Sequence, residues 1–90
     1  MIHAEIRLYG RVQGVGFRFF TTKKARIYQI KGWVKNMADG SVKCIAEGKK
    51  SNVQEFIKVL KKGPISANVR DFEINKSDDL ENYNSFEVRY

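Results

Sequence analysis

The chain has 90 residues, 17 of them Lys or Arg, 10 Asp or Glu and one His, for a net charge of +7. That length makes one small core, and 30% charged against 42% hydrophobic residues is a globular balance, not a disordered one. The longest apolar run, Cys44-Ile45-Ala46, is too short for a membrane span or a secretory leader, and a single cysteine excludes an internal disulfide and any multi-cysteine metal site.

The chain therefore reads as a single domain over residues 1–90 with the cytosol as its simplest compartment, and its alternating, charged start, Met1 to Arg7, reads as part of the folded structure. The positive surplus favours an anionic partner (nucleic acid, acidic membrane or a small phosphorylated molecule) or serves solubility, and charge alone does not choose among these.

From Ala4 to Val12 the pattern alternates, with Ala4, Ile6, Leu8, Gly10 and Val12 on one face and His3, Glu5, Arg7, Tyr9 and Arg11 on the other, which predicts a strand with one buried face. His3 falls on the polar face and is expected at the surface. Gln13-Gly14-Val15-Gly16 breaks the strand. No Gly or Pro interrupts Phe17 to Gln29, where Phe17, Phe20, Lys24 and Tyr28 can share a helical face.

Gly32 to Asn36 reads as a second strand, with Gly32, Val34 and Asn36 on one face and Trp33 opposite, in reach of the terminal strand. Met37-Ala38-Asp39-Gly40 is a hairpin turn, since Asp-Gly tolerates the positive φ that tight turns need. A third strand follows from Val42 to Glu47, with Cys44 as a small core filler, and Gly48 ends it. Ser51 and Gln54 fit a capping box ahead of a helix in which Val53, Phe56, Ile57 and Leu60 keep the i, i+3, i+4, i+7 spacing. Lys58, Lys61 and Lys62 read as a solvated face, and Gly63-Pro64 stops the helix. Ala67 to Ile74 is a fourth strand, and Phe86, Val88 and Tyr90 alternate in a short last one.

The order β-α-β-β-α-β predicts an α+β, ferredoxin-like split βαβ fold: an antiparallel sheet with two helices on one face, the other face partly wet, and a short terminal strand. In this arrangement the first and second strands run in the same direction with the third between them, so the Gln13–Gly16 loop and Asn36 leave the sheet at one edge.

Two readings of that loop stay open. Its glycines either turn a corner, leaving Arg18 solvated, or they aim main-chain N–H groups at an anion, with the helix N-terminus and the Arg18 fork adding positive charge. Arg18 sits where the helix dipole disfavours a cation, and a residue that breaks a local rule is a reason to suspect function. Asn36 is likewise either a hairpin-opening residue that satisfies its own turn or an amide beside that anion seat. Neither the Walker A spacing nor a full dinucleotide fingerprint is present.

Gly10-Arg11-Val12-Gln13-Gly14-Val15-Gly16-Phe17-Arg18 resembles a signature of the acylphosphatase family, in which the place of Gly16 is variable. Gly32-Trp33-Val34-Lys35-Asn36, with Gly40, Val42 and Gly48 at fixed offsets, resembles the family's second signature. Element order and length extend the likeness over essentially the whole chain. The resemblance implies hydrolysis of acyl phosphates, with the phosphoryl group cradled by the backbone of Gln13, Gly14, Val15, Gly16, Phe17 and Arg18, bound by the Arg18 side chain, and attacked by a water that Asn36 positions.

A carboxylate leaving group is stable near neutral pH and needs no general acid, so the expected partners are an acyl phosphate and, as product and competitive inhibitor, inorganic phosphate. No metal and no cofactor are expected, nor a membrane, and a monomer is the default. The rival reading is a basic ferredoxin-like RNA- or phospho-ligand-binding module without catalysis. Nucleic acid is the less expected partner, because the third strand lacks the aromatics with which RNA-recognition domains stack bases.

Overall fold

A computed structural model describes Met1–Tyr90. The elements are β1 (Ile2–Arg11), α1 (Phe17–Ile27), β2 (Lys31–Asn36), β3 (Val42–Gly48), α2 (Lys50–Lys62), β4 (Asn68–Ser77) and β5 (Phe86–Arg89). The strands form one sheet in the order β4-β1-β3-β2-β5. β1 pairs antiparallel with β3 and β4, and β2 antiparallel with β3, as the split βαβ pattern requires. β5 departs from the antiparallel expectation. It adds to the outer edge of β2 in parallel, Val34 opposite Val88, so the sheet is mixed. The segment from β4 to β5 crosses the open face of the sheet, which lets the last strand run in the same direction as β2.

The core is where periodicity puts it. Ala4, Ile6 and Leu8 from β1, Val34 from β2, and Val42, Cys44 and Ala46 from β3 meet Val53, Phe56, Ile57 and Leu60 of α2, and all are buried. Burying side chains of this size contributes roughly 1.5–3 kcal/mol each. α1 lies on the same side of the sheet through Phe17, Thr21 and Ala25, a line of i+4 spacings whose two smaller members let the helix sit close. Phe20 and Tyr28 flank that line, partly buried against the core. Gly32 is required at its place: its φ is +143°, and a Cβ there would stand 1.9 Å from the Ile45 carbonyl oxygen.

Some local expectations need correction. The N-cap of α2 is Lys49, with no side-chain cap bond, because the extended Lys49 backbone already feeds its carbonyl to the Val53 N–H (2.9 Å). Ser51 thus lies inside the helix and no capping box forms. α1 ends at Ile27, before Gln29, whose φ of +56° ends the helical path. β4 runs on to Ser77 because β1 offers it partners down to His3.

His3 is not a free surface residue. Its Nδ1 lies 2.7 Å from Oε2 of Glu47, a carboxylate only 3% exposed. The same carboxylate accepts the main-chain N–H groups of Glu81 (2.6 Å), Asn82 (2.9 Å) and Tyr83 (3.4 Å). Burial raises the Glu47 pKa, but the His3 contact and these three N–H groups outweigh it and hold the carboxyl below its ordinary value. Glu47 thereby fastens the segment that delivers β5. Trp33 lies on this helix-free face as expected, with the Arg89 guanidinium of β5 4.8 Å from its ring centre and its indole N–H donating to the Tyr83 hydroxyl (3.2 Å). No helix is long and apolar enough to cross a membrane.

Candidate active site

β1 and β2 end at the same edge of the sheet, and the chain between β1 and α1 curls over that edge. Gly14 and Gly16 have φ of +72° and +78°, while Val15 between them does not enter the positive region. This alternation is the backbone geometry that turns successive N–H groups toward one point. It leads into α1, whose N-cap is Gly16 with no side-chain cap bond and whose first turn holds no acid. The first amides of the helix are therefore left for a ligand, at the positive end of its dipole.

Arg18 stands in that first turn. None of the ion pairs in the structure involves it, so its charge is not neutralised by a carboxylate. Its guanidinium is instead 5.1 Å from the ring centre of Tyr90, a cation–π contact. Across the cavity, the Oδ1 of Asn36 is buried and has no hydrogen-bond partner. A buried, unpaired amide oxygen is costly, on the order of 1–3 kcal/mol, and calls for an explanation.

These groups line one cavity of about 400 Å³, walled by Val12, Gly14, Gly16, Phe17, Arg18, Phe19, Thr22, Asn36, Val88 and Tyr90. It contains no Asp, Glu, His or Lys. Elsewhere too, no group of three or more His, Cys, Asp or Glu side chains is placed to hold a metal ion. Cys44 is buried among apolar side chains that push its thiol pKa up, so it is no nucleophile.

Of the residues singled out in the sequence, Gly14, Gly16, Phe17, Arg18 and Asn36 come together at the cavity, whereas Gln13 and Val15 do not line it. Val15 packs against the core. Gln13 turns its side chain the other way, and its amide nitrogen donates to the carbonyls of Met37 (2.8 Å) and Ser41 (2.9 Å). That bridge ties the glycine loop to the hairpin that follows Asn36. A second tie comes from Arg7, which donates to Ser41 Oγ (2.9 Å) and Asp39 Oδ2 (2.9 Å). Hydrogen bonds from the Ser41 side chain and main chain hold the Asp39 carboxyl below its usual range, with Arg7 adding to the effect.

The rim residues Phe19, Thr22, Val88 and Tyr90 were not anticipated. Val88 and Tyr90 reach the cavity because β5 runs parallel to β2, in register with Lys35 opposite Arg89. Their shared alternation with Gly32, Val34 and Asn36 was the available signal.

The acylphosphatase family pattern matches residues 4–88. The chain belongs to the acylphosphatase family. An acylphosphatase of Archaeoglobus fulgidus is 49% identical over 90 residues, the whole of both chains. The crystal structure of acylphosphatase from Bacillus subtilis superposes with a TM-score of 0.97 at 39% identity, covering all of both chains. An acylphosphatase structure from Coxiella burnetii gives 0.91 at 34% identity, over 97% of this chain and 90% of the other. This family membership favours the hydrolytic over the non-catalytic reading of the sequence.

Proposed function

We propose that this chain hydrolyses the carboxyl–phosphate bond of acyl phosphates, giving a carboxylate and inorganic phosphate by in-line attack of water. The phosphoryl group sits on the main-chain amides between Gln13 and Arg18, with the Arg18 guanidinium spanning two of its oxygens. Asn36 Oδ1 accepts a hydrogen bond from the attacking water and aligns it. The observation that carries the reading is that buried, partnerless oxygen, on a residue lining the cavity that also holds an unneutralised arginine and an uncapped helix start.

The chemistry matches the sparse lining. A carboxylate leaves readily at neutral pH, so no acid must protonate it, and catalysis consists of positioning and stabilising charge on the phosphoryl oxygens. The enzyme works as a cytosolic monomer without metal or cofactor, and inorganic phosphate, the product, competes for the seat. Benzoyl phosphate hydrolysis with added phosphate is the test. Turnover with competitive phosphate inhibition is the expected result; phosphate binding without turnover would leave a sensing module instead.

A further inference from the structure

The surplus of positive over negative charge in this protein is carried by its two helices. α1 carries Arg18, Lys23, Lys24 and Arg26 and no acid, and α2 carries Lys50, Lys58, Lys61 and Lys62 against the single acid Glu55. The two helices therefore hold eight cations and one acid, a net +7 equal to that of the whole chain, while the rest of the molecule is balanced at nine and nine. No acid at all occurs between Glu5 and Asp39. Of the helix cations, Arg18 belongs to the cavity, Lys24 lies over the Phe20 ring and Lys61 over the Phe72 ring. Lys23, Arg26, Lys58 and Lys62 are exposed on the helices, and Lys58 has only a loose 3.5 Å contact to Glu55, with both partners more than half exposed.

Charge placed this way is a field with a direction. Helices of 11 and 13 residues are about 16 and 20 Å long, so the face offers its cations over a patch roughly 20 Å across. A nucleic-acid duplex presents a phosphate about every 1.7 Å of its axis, and such a patch reaches several of them. A bilayer suits the face less well. The large apolar side chains exposed on α1, Phe19 and Ile27, are two turns apart with Lys23 between them, so there is no continuous apolar strip to enter the interface. The balanced sheet face, where Trp33 is already flanked by Lys43 and Arg89, offers no stacking platform either.

We propose that the outer face of α1 and α2 is a docking surface for a nucleic-acid phosphate backbone, bound without sequence preference through Lys23, Arg26, Lys58 and Lys62. This surface is distinct from the cavity edge and does not depend on the hydrolytic reading. Phosphate contacts carry no base information and release counterions, so the complex is salt-sensitive and weak, with a dissociation constant on the order of 10⁻⁴–10⁻⁶ M. Four contacts predict a loss of roughly 100-fold in affinity between about 50 and 200 mM salt.

The experiment is fluorescence anisotropy of a labelled DNA duplex of about two helical turns, titrated with three proteins. These are the wild type, the helix triple Lys23→Gln, Arg26→Gln, Lys58→Gln, and the control triple Lys35→Gln, Lys43→Gln, Arg89→Gln, which removes the same charge from the helix-free face of the sheet. The helix triple is expected to bind at least about 10-fold more weakly and to lower the salt slope by roughly 2–3, while the control triple stays within about 3-fold. Single changes at Lys23 and Lys58, each about 3-fold, guard against misfolding of the triple, and circular dichroism verifies each fold. Equal losses in the two triples would show that net charge alone binds, and would overturn the patch. So would saturable binding to phosphatidylserine–phosphatidylcholine vesicles that is tighter than to the duplex, or no duplex binding at low salt.

Discussion

The Gln13 side chain ties the glycine loop to the hairpin after Asn36, and its removal tests how the site is held. Both of its hydrogen-bond partners are carbonyl oxygens, which fixes the amide with its nitrogen toward the hairpin. Gln13→Ala deletes both bonds. The two carbonyls are not orphaned, because Met37 O still accepts the Gly40 N–H (3.1 Å) and Ser41 O the Met37 N–H (2.8 Å). The loss therefore lies toward the low end for two neutral hydrogen bonds, about 1–2 kcal/mol. In a domain of this size that lowers Tm by roughly 4–16 °C.

If the bond energy serves to hold Asn36 against the glycine loop, the same 1–2 kcal/mol bounds the misalignment, and kcat falls about 5- to 30-fold. Inhibition by phosphate should move by less than about 3-fold, since the amide seat and Arg18 remain. Gln13→Glu should do more damage than alanine, because a carboxylate would face two carbonyl oxygens. The assay is a double-mutant cycle on benzoyl phosphate: with Asn36→Ala already present, Gln13→Ala should have no further effect on kcat. Fully additive losses would refute the argument and place the action of Gln13 on the loop alone.

The remaining predictions concern the charge, the water, the metal and the carboxylate under the sheet. Arg18→Ala should abolish measurable turnover and weaken phosphate inhibition. Asn36→Ala should cut kcat by about 10²–10³ and leave phosphate inhibition nearly unchanged, as expected for a group aimed at the reacting water; full turnover in that variant would remove Asn36 from its role. Chelator should not change the rate, and activity lost to chelator and restored by magnesium would contradict a site built on amides and one arginine.

Glu47 has a folded pKa below its ordinary value of 4.5, so its stabilising contribution is complete above that value and is lost as pH falls through the lower, folded one. Glu47→Gln should lose about 1.5–3 kcal/mol at neutral pH, the worth of a charge-assisted hydrogen bond. It should also flatten the acid limb of a Tm-against-pH curve, and a limb unchanged in this variant would assign acid unfolding to other carboxylates.

What was legible in the sequence, and what was not, follows from the range of the interactions. Period-two alternation in β1 and β2 and the i+3, i+4 spacing of Val53, Phe56, Ile57 and Leu60 are local, and each fixed an element and its buried face. That these residues meet at one cavity was legible for the same reason: Gly14, Gly16 and Arg18 are neighbours in the chain, and Asn36 reaches them by the fixed topology of a split βαβ unit. The bridging role of the Gln13 side chain was not legible, because its acceptors lie 24 and 28 residues away.

β5 and Glu47 were harder still. A four-residue edge strand carries too little pattern to declare its partner or direction, and Glu47 alternates in β3 like any solvated residue. Only the path of residues 81–83, folded back over the sheet, buries that carboxylate, supplies its donors and so brings Val88 and Tyr90 to the cavity. The proposed seat for the phosphoryl group is therefore written locally, while the wall beside it depends on a contact 34 to 36 residues long. Weakening the Glu47 anchor should then disturb the Tyr90 side of the cavity before it disturbs the glycine loop.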